Sequence, residues 1–187
     1  MHDWAALATD IKRWAEDLGF QQAGISAGTL SADEAHLERW LAEGHHGAMA
    51  YMAAHGRKRS RPAELVPGTL RVISLRMDYG VDADAECWNT LADGERAYIA
   101  RYALGRDYHK VLRTRLQKLA DRIGESVGPF GYRAFVDSAP VLERALARDA
   151  GLGWIGKNTC TINSKAVNYS APAELYTDLP LPVDEAA

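Results

Sequence analysis

The run Tyr132-Arg-Ala-Phe-Val136 has the β-branched and aromatic character of a strand, and it breaks at Asp137. Ser138 can cap, and Pro140 can occupy the first turn of, a helix predicted from Pro140 to Ala150, which Gly151 stops. A strand that turns directly into a helix commits the chain to a layered fold, because each element has to bury one face against another. It also puts Asp137 at the carboxyl end of a strand, where open α/β sheets hold their ligand crevices.

The remaining segments alternate in the same way. Trp4, Leu7, Ile11, Trp14 and Leu18 recur at helical spacing and end at Gly19. A short strand is predicted over Gln22 to Ser26, and Ser31-Ala-Asp-Glu34 reads as the capping box of a helix carrying Leu37, Trp40 and Leu41. The tryptophans on these helices are expected in the core. Leu70 to Arg76 is the best strand in the chain, and a polar loop is expected from Asp82 to Glu95. His109 to Ile123 predicts a helix with Leu112, Leu116, Leu119 and Ile123 on one face, and a last strand is expected near Cys160. With 187 residues and no internal repeat, the economical reading is a single layered α/β domain whose central mixed sheet is flanked by helices.

Two short motifs suggest a nucleotide and are excluded by their context. Gly151, Gly156 and Lys157 have Walker A spacing, and Gly151-x-Gly153-x-x-Gly156 has that of a dinucleotide turn. Both motifs leave a strand and open a helix, whereas here a helix precedes and the β-prone Thr159-Cys-Thr-Ile162 follows. Asn158 also stands where a hydroxyl would hold magnesium. What is left is a glycine turn crowded with Trp154, Lys157 and Asn158.

Asp137, flanked by Phe135, Val136 and Ala139, can be kept protonated by desolvation, as a proton donor near neutral pH requires; it can equally stabilise the start of a helix. His109 follows Asp107 and Tyr108, which leaves a ligand contact, a proton relay and a structural hydrogen bonder all open. The other five histidines share no metal-ligand spacing, so no metal site is expected. Cys87 and Cys160 lack a paired spacing and are expected as reduced thiols. The absence of a signal-peptide pattern or an apolar stretch of membrane-spanning length predicts a cytoplasmic chain with no membrane partner. A net charge of −3 gives no global attraction to nucleic acid. Basic residues nonetheless cluster at Arg57, Lys58, Arg59 and Arg61, and again at Arg101, Arg106, Lys110, Arg113 and Arg115, as solvated faces or as phosphate contacts.

Val136-Asp-Ser-Ala-Pro-Val-Leu-Glu143, Ala150-Gly-Leu-Gly-Trp-Ile-Gly-Lys-Asn158, Arg101-Tyr-Ala-Leu-Gly-Arg-Asp-Tyr-His109 and Leu65-Val-Pro-Gly-Thr-Leu-Arg-Val-Ile-Ser74 resemble the epoxyqueuosine reductases. So do Gly19-Phe-Gln-Gln-Ala-Gly-Ile25 and Thr177-Asp-Leu-Pro-Leu-Pro182, and the resemblance runs in register over almost the whole chain. It concerns the cobalamin-binding domain of that family, which implies a fold similar to nitroreductases and corrinoid reductases. It implies removal of the epoxide oxygen from epoxyqueuosine in a tRNA anticodon stem-loop, the last step in making queuosine. It further implies cobalamin held without a protein histidine and reduced through two 4Fe-4S clusters. By the same matching Asp137 is the proton donor, and Arg59, Tyr102, His109, Ser138, Lys157 and Asn158 contribute to the cofactor and substrate pocket. The resemblance gives the basic clusters a tRNA backbone to hold, with the chain expected as a monomer. Residues 1–180 would be the cobalamin-binding catalytic domain and 181–187 a stub toward an absent iron–sulfur domain.

Two features depart from the family pattern. With two cysteines the chain cannot bind the clusters, so an external electron donor or a separate iron–sulfur domain is implied. In Val167-Asn-Tyr-Ser-Ala-Pro-Ala173 the family's glycine and large apolar residues are missing, and Pro172 predicts a weakened strand. Two other readings stay open: a stand-alone corrinoid-binding protein without turnover, and a flavin-dependent reductase on the same fold.

Overall fold

The computed structural model of the chain describes residues 2–79, 84–164 and 169–186, with only the backbone of Asp84 and Ala85. Asp3 caps α1 (Trp4–Asp17), its Oδ1 accepting from the amides of Ala5 and Ala6 at 3.1 and 3.0 Å. There follow β1 (Gln22–Ser26), α2 (Ser31–Ala42), α3 (Pro62–Leu65), β2 (Arg71–Asp78) and α4 (Asp84–Ala92). The second half contains α5 (Tyr108–Val127), β3 (Tyr132–Phe135), α6 (Glu143–Asp149), a hairpin of β4 (Trp154–Ile155) and β5 (Thr161–Ile162), and β6 (Ser170–Thr177).

The main sheet runs β1-β2-β6-β3. Its described pairings are all antiparallel, so the layered α/β expectation holds while the mixed sheet becomes an antiparallel one. Periodicity marks strands and helices but not the direction in which each strand re-enters the sheet. Ile73 and Leu75 of β2 and Ala173 and Leu175 of β6 face α1 and α5, where Leu7, Ile11, Leu112, Leu116 and Ile123 complete the larger core. Val72, Phe135 and Tyr176 point to the other face and pack with Val141 and Leu146 around α6. By the same alternation Ser26, Ser74, Arg76 and Glu174, all buried, lie on the α6 side. At the other end of the chain Leu181 joins the larger core, and Asp184 accepts from the Ile25 amide at 2.8 Å and pairs with Lys12. Residues 181–184 are therefore packed on the domain.

Several local expectations change. The helix predicted from Pro140 is shortened to α6, which starts at Glu143. Two tight turns fill the gap, the Ser138 amide bonding Val136 O at 2.6 Å and the Val141 amide bonding Ala139 O at 2.8 Å. Ser138 therefore caps nothing; its hydroxyl turns back to Val136 O at 3.5 Å. Ser31 does not cap α2 either, since Leu30 is the cap residue and makes no side-chain bond. The polar stretch 82–95 contains α4, whose Trp88 and Leu91 stay exposed, so no buried stripe announces it. Of that stretch, residues 82 and 83 lie outside the described residues. Pro172 does not weaken β6: it pairs with Arg76, and β3 engages only Glu174 to Thr177, leaving Pro172 on the part of the strand that β3 does not reach. Residues 167 and 168 of that departure lie outside the described residues. Among the described residues no helix is long and apolar enough to cross a membrane.

The end of α6 sits so close to β1 that a Cβ on Gly24 would stand 1.9 Å from the Ala150 carbonyl oxygen. Gly24→Ala must push the helix off the sheet, and is expected to lower stability by roughly 1–3 kcal/mol in urea unfolding. An unchanged midpoint would contradict this seating.

Candidate active site

Asp137 has φ +54°, a left-handed backbone that aspartate tolerates better than most residues but that still carries strain. Strain of this kind persists only where neighbours enforce it, and α5 supplies them. The Tyr108 hydroxyl donates to Asp137 Oδ2, and His109 Nε2 lies 3.2 Å from the same oxygen. Asp107, the N-cap of α5, accepts from the His109 backbone amide at 3.0 Å and lies 2.9 Å from the ring Nδ1. The imidazole is thus held between two carboxylates and stacked on Tyr108, with ring centroids 4.0 Å apart. The hydrogen bond from His109 holds the Asp107 carboxyl below its ordinary range. Burial, followed by the bond to Asp137, pushes the Tyr108 hydroxyl up and keeps it a donor.

Asp137, with 56% of its side chain exposed, opens on a cavity of about 640 Å³. Leu37 and Trp40 of α2, Met52, Val141 and Ile155 give it apolar walls, and Arg59 and Glu143 bring charge. Trp40 is a wall of this cavity and not a core residue as expected; α2 fully buries none of its residues. Arg59, nine-tenths buried, donates through Nη2 to Tyr51 O at 2.9 Å, while its Nε has no partner. Burial alone pulls the Arg59 pKa down. Glu143 lies in the first turn of α6, where burial first and the Asp137 charge second push its carboxyl up to about 7.

The other sequence-predicted residues are spread around this centre. Tyr102 belongs to an adjoining cavity of about 350 Å³ and meets Tyr108 and Tyr79 edge-on, at centroid distances of 6.0 and 6.3 Å. Ser138 is exposed beside Asp137. Lys157 and Asn158 sit in the β4–β5 hairpin loop, where Asn158 Oδ1 accepts from the Cys160 amide at 3.2 Å. Their neighbours Ile155 and Thr159 line the Asp137 cavity; Lys157 and Asn158 do not. The glycines serve that hairpin: a Cβ on Gly153 would come within 2.2 Å of Ile162 O, and α6 precedes the turn, so the nucleotide-loop reading stays excluded. The basic cluster 57–61 is largely neutralised locally, Arg57 pairing with Glu38 at 2.8 Å and Arg61 with Glu34 and Glu64 at 2.7 and 2.8 Å. From the second cluster, Arg115 donates to Gly19 O at 2.7 Å, whereas Arg106 and Lys110 line an open groove along α5. Cys87 and Cys160 form no disulfide. Among the described residues no three His, Cys, Asp or Glu side chains are grouped as a metal site. Glu143 lies within the sequence motif that holds Asp137, whereas Glu174 lies in no motif. A lone acid inside an otherwise apolar strand was the available signal.

The profile described as Epoxyqueuosine reductase QueG, DUF1730, matches residues 59–138, which reach from Arg59 to the Asp137 turn. A Pseudomonas aeruginosa epoxyqueuosine reductase is 65% identical over 184 residues, covering 98% of this chain and 51% of its own length. Over the half of those relatives that it spans, the chain is similar to the epoxyqueuosine reductases. It covers about half the length of the curated relatives it matches. Its fold is that of an epoxyqueuosine reductase crystallised with an epoxyqueuosine-modified tRNA-Tyr stem loop, at TM-score 0.84 and 24% identity over 97% of this chain and 48% of that one. It is also that of a Bacillus subtilis epoxyqueuosine reductase whose catalytic aspartate loop is swung out of the active site, at TM-score 0.81 and 22% identity, with coverage of 97% and 48%. A reductive dehalogenase described with a B12-dependent mechanism shares the fold more distantly, at TM-score 0.58 and 16% identity over 100% of this chain and 21% of that one.

Glu34 anchors the segment that presents Arg59, accepting from Ser60 Oγ at 2.6 Å and Arg61 Nη2 at 2.7 Å. The Arg61 bond, then that of Ser60, holds its carboxyl down at about 2 against an ordinary 4.5. A depressed carboxyl contributes stability that is present above the unfolded value and lost as pH falls toward the folded one. Glu34→Gln is therefore expected to lower the melting temperature at pH 7, with the difference shrinking between pH 4.5 and about 2. A difference that does not change with pH would remove the ion pair as its cause.

Proposed function

We propose that this chain is the cobalamin-binding part of an epoxyqueuosine reductase, and that Asp137 is the acid that protonates the epoxide oxygen in tRNA. The observation that carries the reading is the strained Asp137, fixed by Tyr108 and His109 at the mouth of a large, mostly apolar cavity. The similarity to epoxyqueuosine reductases, the stem loop bound by one structural relative and the B12-dependent mechanism of another support it.

The residues present fit a corrin, whose flat apolar macrocycle is rimmed by amides. Trp40, Leu37, Met52 and Ile155 offer apolar contact, and the partnerless Nε of buried Arg59 offers a donor to an amide oxygen. Both ring nitrogens of His109 are engaged by carboxylates, in keeping with cobalamin held without that histidine. Arg59, Tyr102, Ser138, Lys157 and Asn158 are the remaining candidates to hold cofactor or substrate, with the last two reaching it from the hairpin tip. Bound cobalamin would supply the reducing chemistry at the epoxide carbon.

The chain's own residues handle protons. Removing an epoxide oxygen consumes two electrons and two protons and releases water. As the proposed acid, Asp137 gives a proton to the departing oxygen. His109 Nε2 is placed to return a proton to Oδ2, while Asp107 at Nδ1 fixes the orientation of the ring. Tyr108 aims the carboxyl. The electrons come from an iron–sulfur domain or donor protein, since two cysteines cannot hold a 4Fe-4S cluster. On this reading residues 1–180 are the catalytic domain, onto which residues 181–184 pack.

Mixing the purified chain with cob(II)alamin is expected to change the cobalamin absorbance, with Arg59→Ala weakening binding and FMN giving no change. Flavin binding without cobalamin binding would overturn the reading. With a chemical reductant and epoxyqueuosine-containing tRNA, Asp137→Asn is expected to slow turnover by roughly 10²–10⁴-fold at unchanged cobalamin affinity. Turnover indifferent to the substitution would remove Asp137 from the acid's role.

A further inference from the structure

Behind Asp137 lies a carboxyl that the chemistry above does not use. Glu174 is completely buried, and neither of its oxygens has a hydrogen-bond partner. It stands on β6 between Ser74 of β2 and Phe135 of β3. An ionised carboxylate in such a place is expensive, so the side chain carries a proton. Glu143 on α6 is the acid that acts on it, and Glu143 Oε1 also lacks a partner. Glu143 borders two cavities: that of Asp137, and one of about 260 Å³ shared with Arg76, Arg144 and Thr161.

We propose that Glu143 and Glu174 form a buried carboxyl pair that holds a proton behind Asp137, and that Glu143 is a positioning residue for that acid. Its catalytic meaning rests on Asp137 being the acid; the pair itself does not. The charged and titratable groups around the pair come from every neighbouring element. Asp137 faces Glu143 from the loop after β3, and Arg144 from its own helix; Tyr108 of α5 and Tyr176 of β6 both feel its charge. Arg76 of β2 lies across the smaller cavity and is paired with Asp78 at 3.1 Å, and the Arg144 guanidinium donates to Thr159 O. Neither cation forms an ion pair with Glu143 or Glu174 among the described residues.

Two features link Glu143 to the acid. The Asp137 backbone amide opposes the burial of Glu143, which places the glutamate against the strained turn itself. After burial, the Asp137 charge is the second cause that pushes the Glu143 carboxyl up to about 7. Burial and then Glu143 push Glu174 up further still. Near pH 7 Glu174 is protonated and Glu143 lies between its two states. A carboxyl that binds its proton more tightly when folded makes stability fall as pH rises from 4.5 to about 7.

Carboxyl-carbon NMR titration of the chain, without cofactor or tRNA, tests the pair independently of the proposed function. Glu143 is expected to titrate near pH 7 and to move down by about one unit in Asp137→Asn, with Glu174 protonated throughout. Urea stability is expected to fall from pH 4.5 to 7 in the parent and to flatten in Glu143→Gln. Glu174→Gln, which mimics the protonated acid, is expected to fold and to leave Glu143 titrating near neutral pH. Titration of Glu143 in the ordinary carboxylate range, or a midpoint unmoved by Asp137→Asn, would overturn the pair. For the positioning role, Glu143→Gln is expected to shift the pH profile of turnover while cobalamin affinity holds; an unshifted profile would overturn it. Failure of cobalamin binding in the parent would count against the proposed function and leave the titration result standing.

Discussion

The pairing of β2 with β6 sets the register on which the rest of the site depends. The two strands match over eight residues, from Arg71 opposite Thr177 to Asp78 opposite Ser170. Because side chains alternate, this register sends Ile73, Leu75, Ala173 and Leu175 toward α1 and α5, and Val72, Arg76, Glu174 and Tyr176 toward α6. A slip of one residue would drive the Glu174 carboxyl into the larger apolar core and turn Leu175 toward α6. The larger core makes that slip prohibitive, and so it holds a polar row in place on the opposite face. The cost of that row is borne by the many apolar residues around it.

On that face α6 is pressed against Gly24, and its first turn brings Glu143 over Glu174 and beside Asp137. From the other side the N-terminus of α5 delivers Asp107, Tyr108 and His109 in three consecutive residues. The Asp137 turn is therefore clamped between two helix starts. Each start brings an acid: Asp107, held ionised by His109, and Glu143, pushed toward neutrality by burial. Two acids driven in opposite directions around a third are the arrangement that general acid chemistry uses to keep one proton available and another delivered.

Much of this was legible in the sequence, for physical reasons that differ by residue. The strand ending at Asp137, the helices α1 and α5 and the strand β1 follow from local periodicity, because their apolar stripes face a large core. Periodicity says which residues share a face, but not what that face meets. Trp40 and Leu37 have core-like spacing and wall a cavity instead. Ser138 and Pro140 have helix-start chemistry, yet two tight turns precede α6. Pro172 predicts a weakened strand because the reach of β3 along β6 is a tertiary fact that local sequence does not carry. Glu174 could not be given a role, since a single acidic letter does not say which side of a sheet it will occupy. Arg59 shares a cavity with Asp137 across more than seventy residues of chain, a proximity that no local pattern carries.

The exposure of Asp137 sets the remaining condition on the site. With 56% of its side chain open, the Asp137 carboxyl is accessible to water, which in the proposed reaction would compete with the substrate oxygen for it. General acid catalysis gains from a site closed to water, where hydrogen bonds to Tyr108 and His109 also act through a lower dielectric. The apolar side chains Tyr102, Leu104, Trp154 and Ile155 are exposed near the two cavities, each by 39% or more. A broad, flat apolar ligand laid across them would bury these side chains and dry the Asp137 carboxyl in the same event. Cofactor binding would then be coupled to activation of the acid through desolvation, without any change in the backbone that holds it.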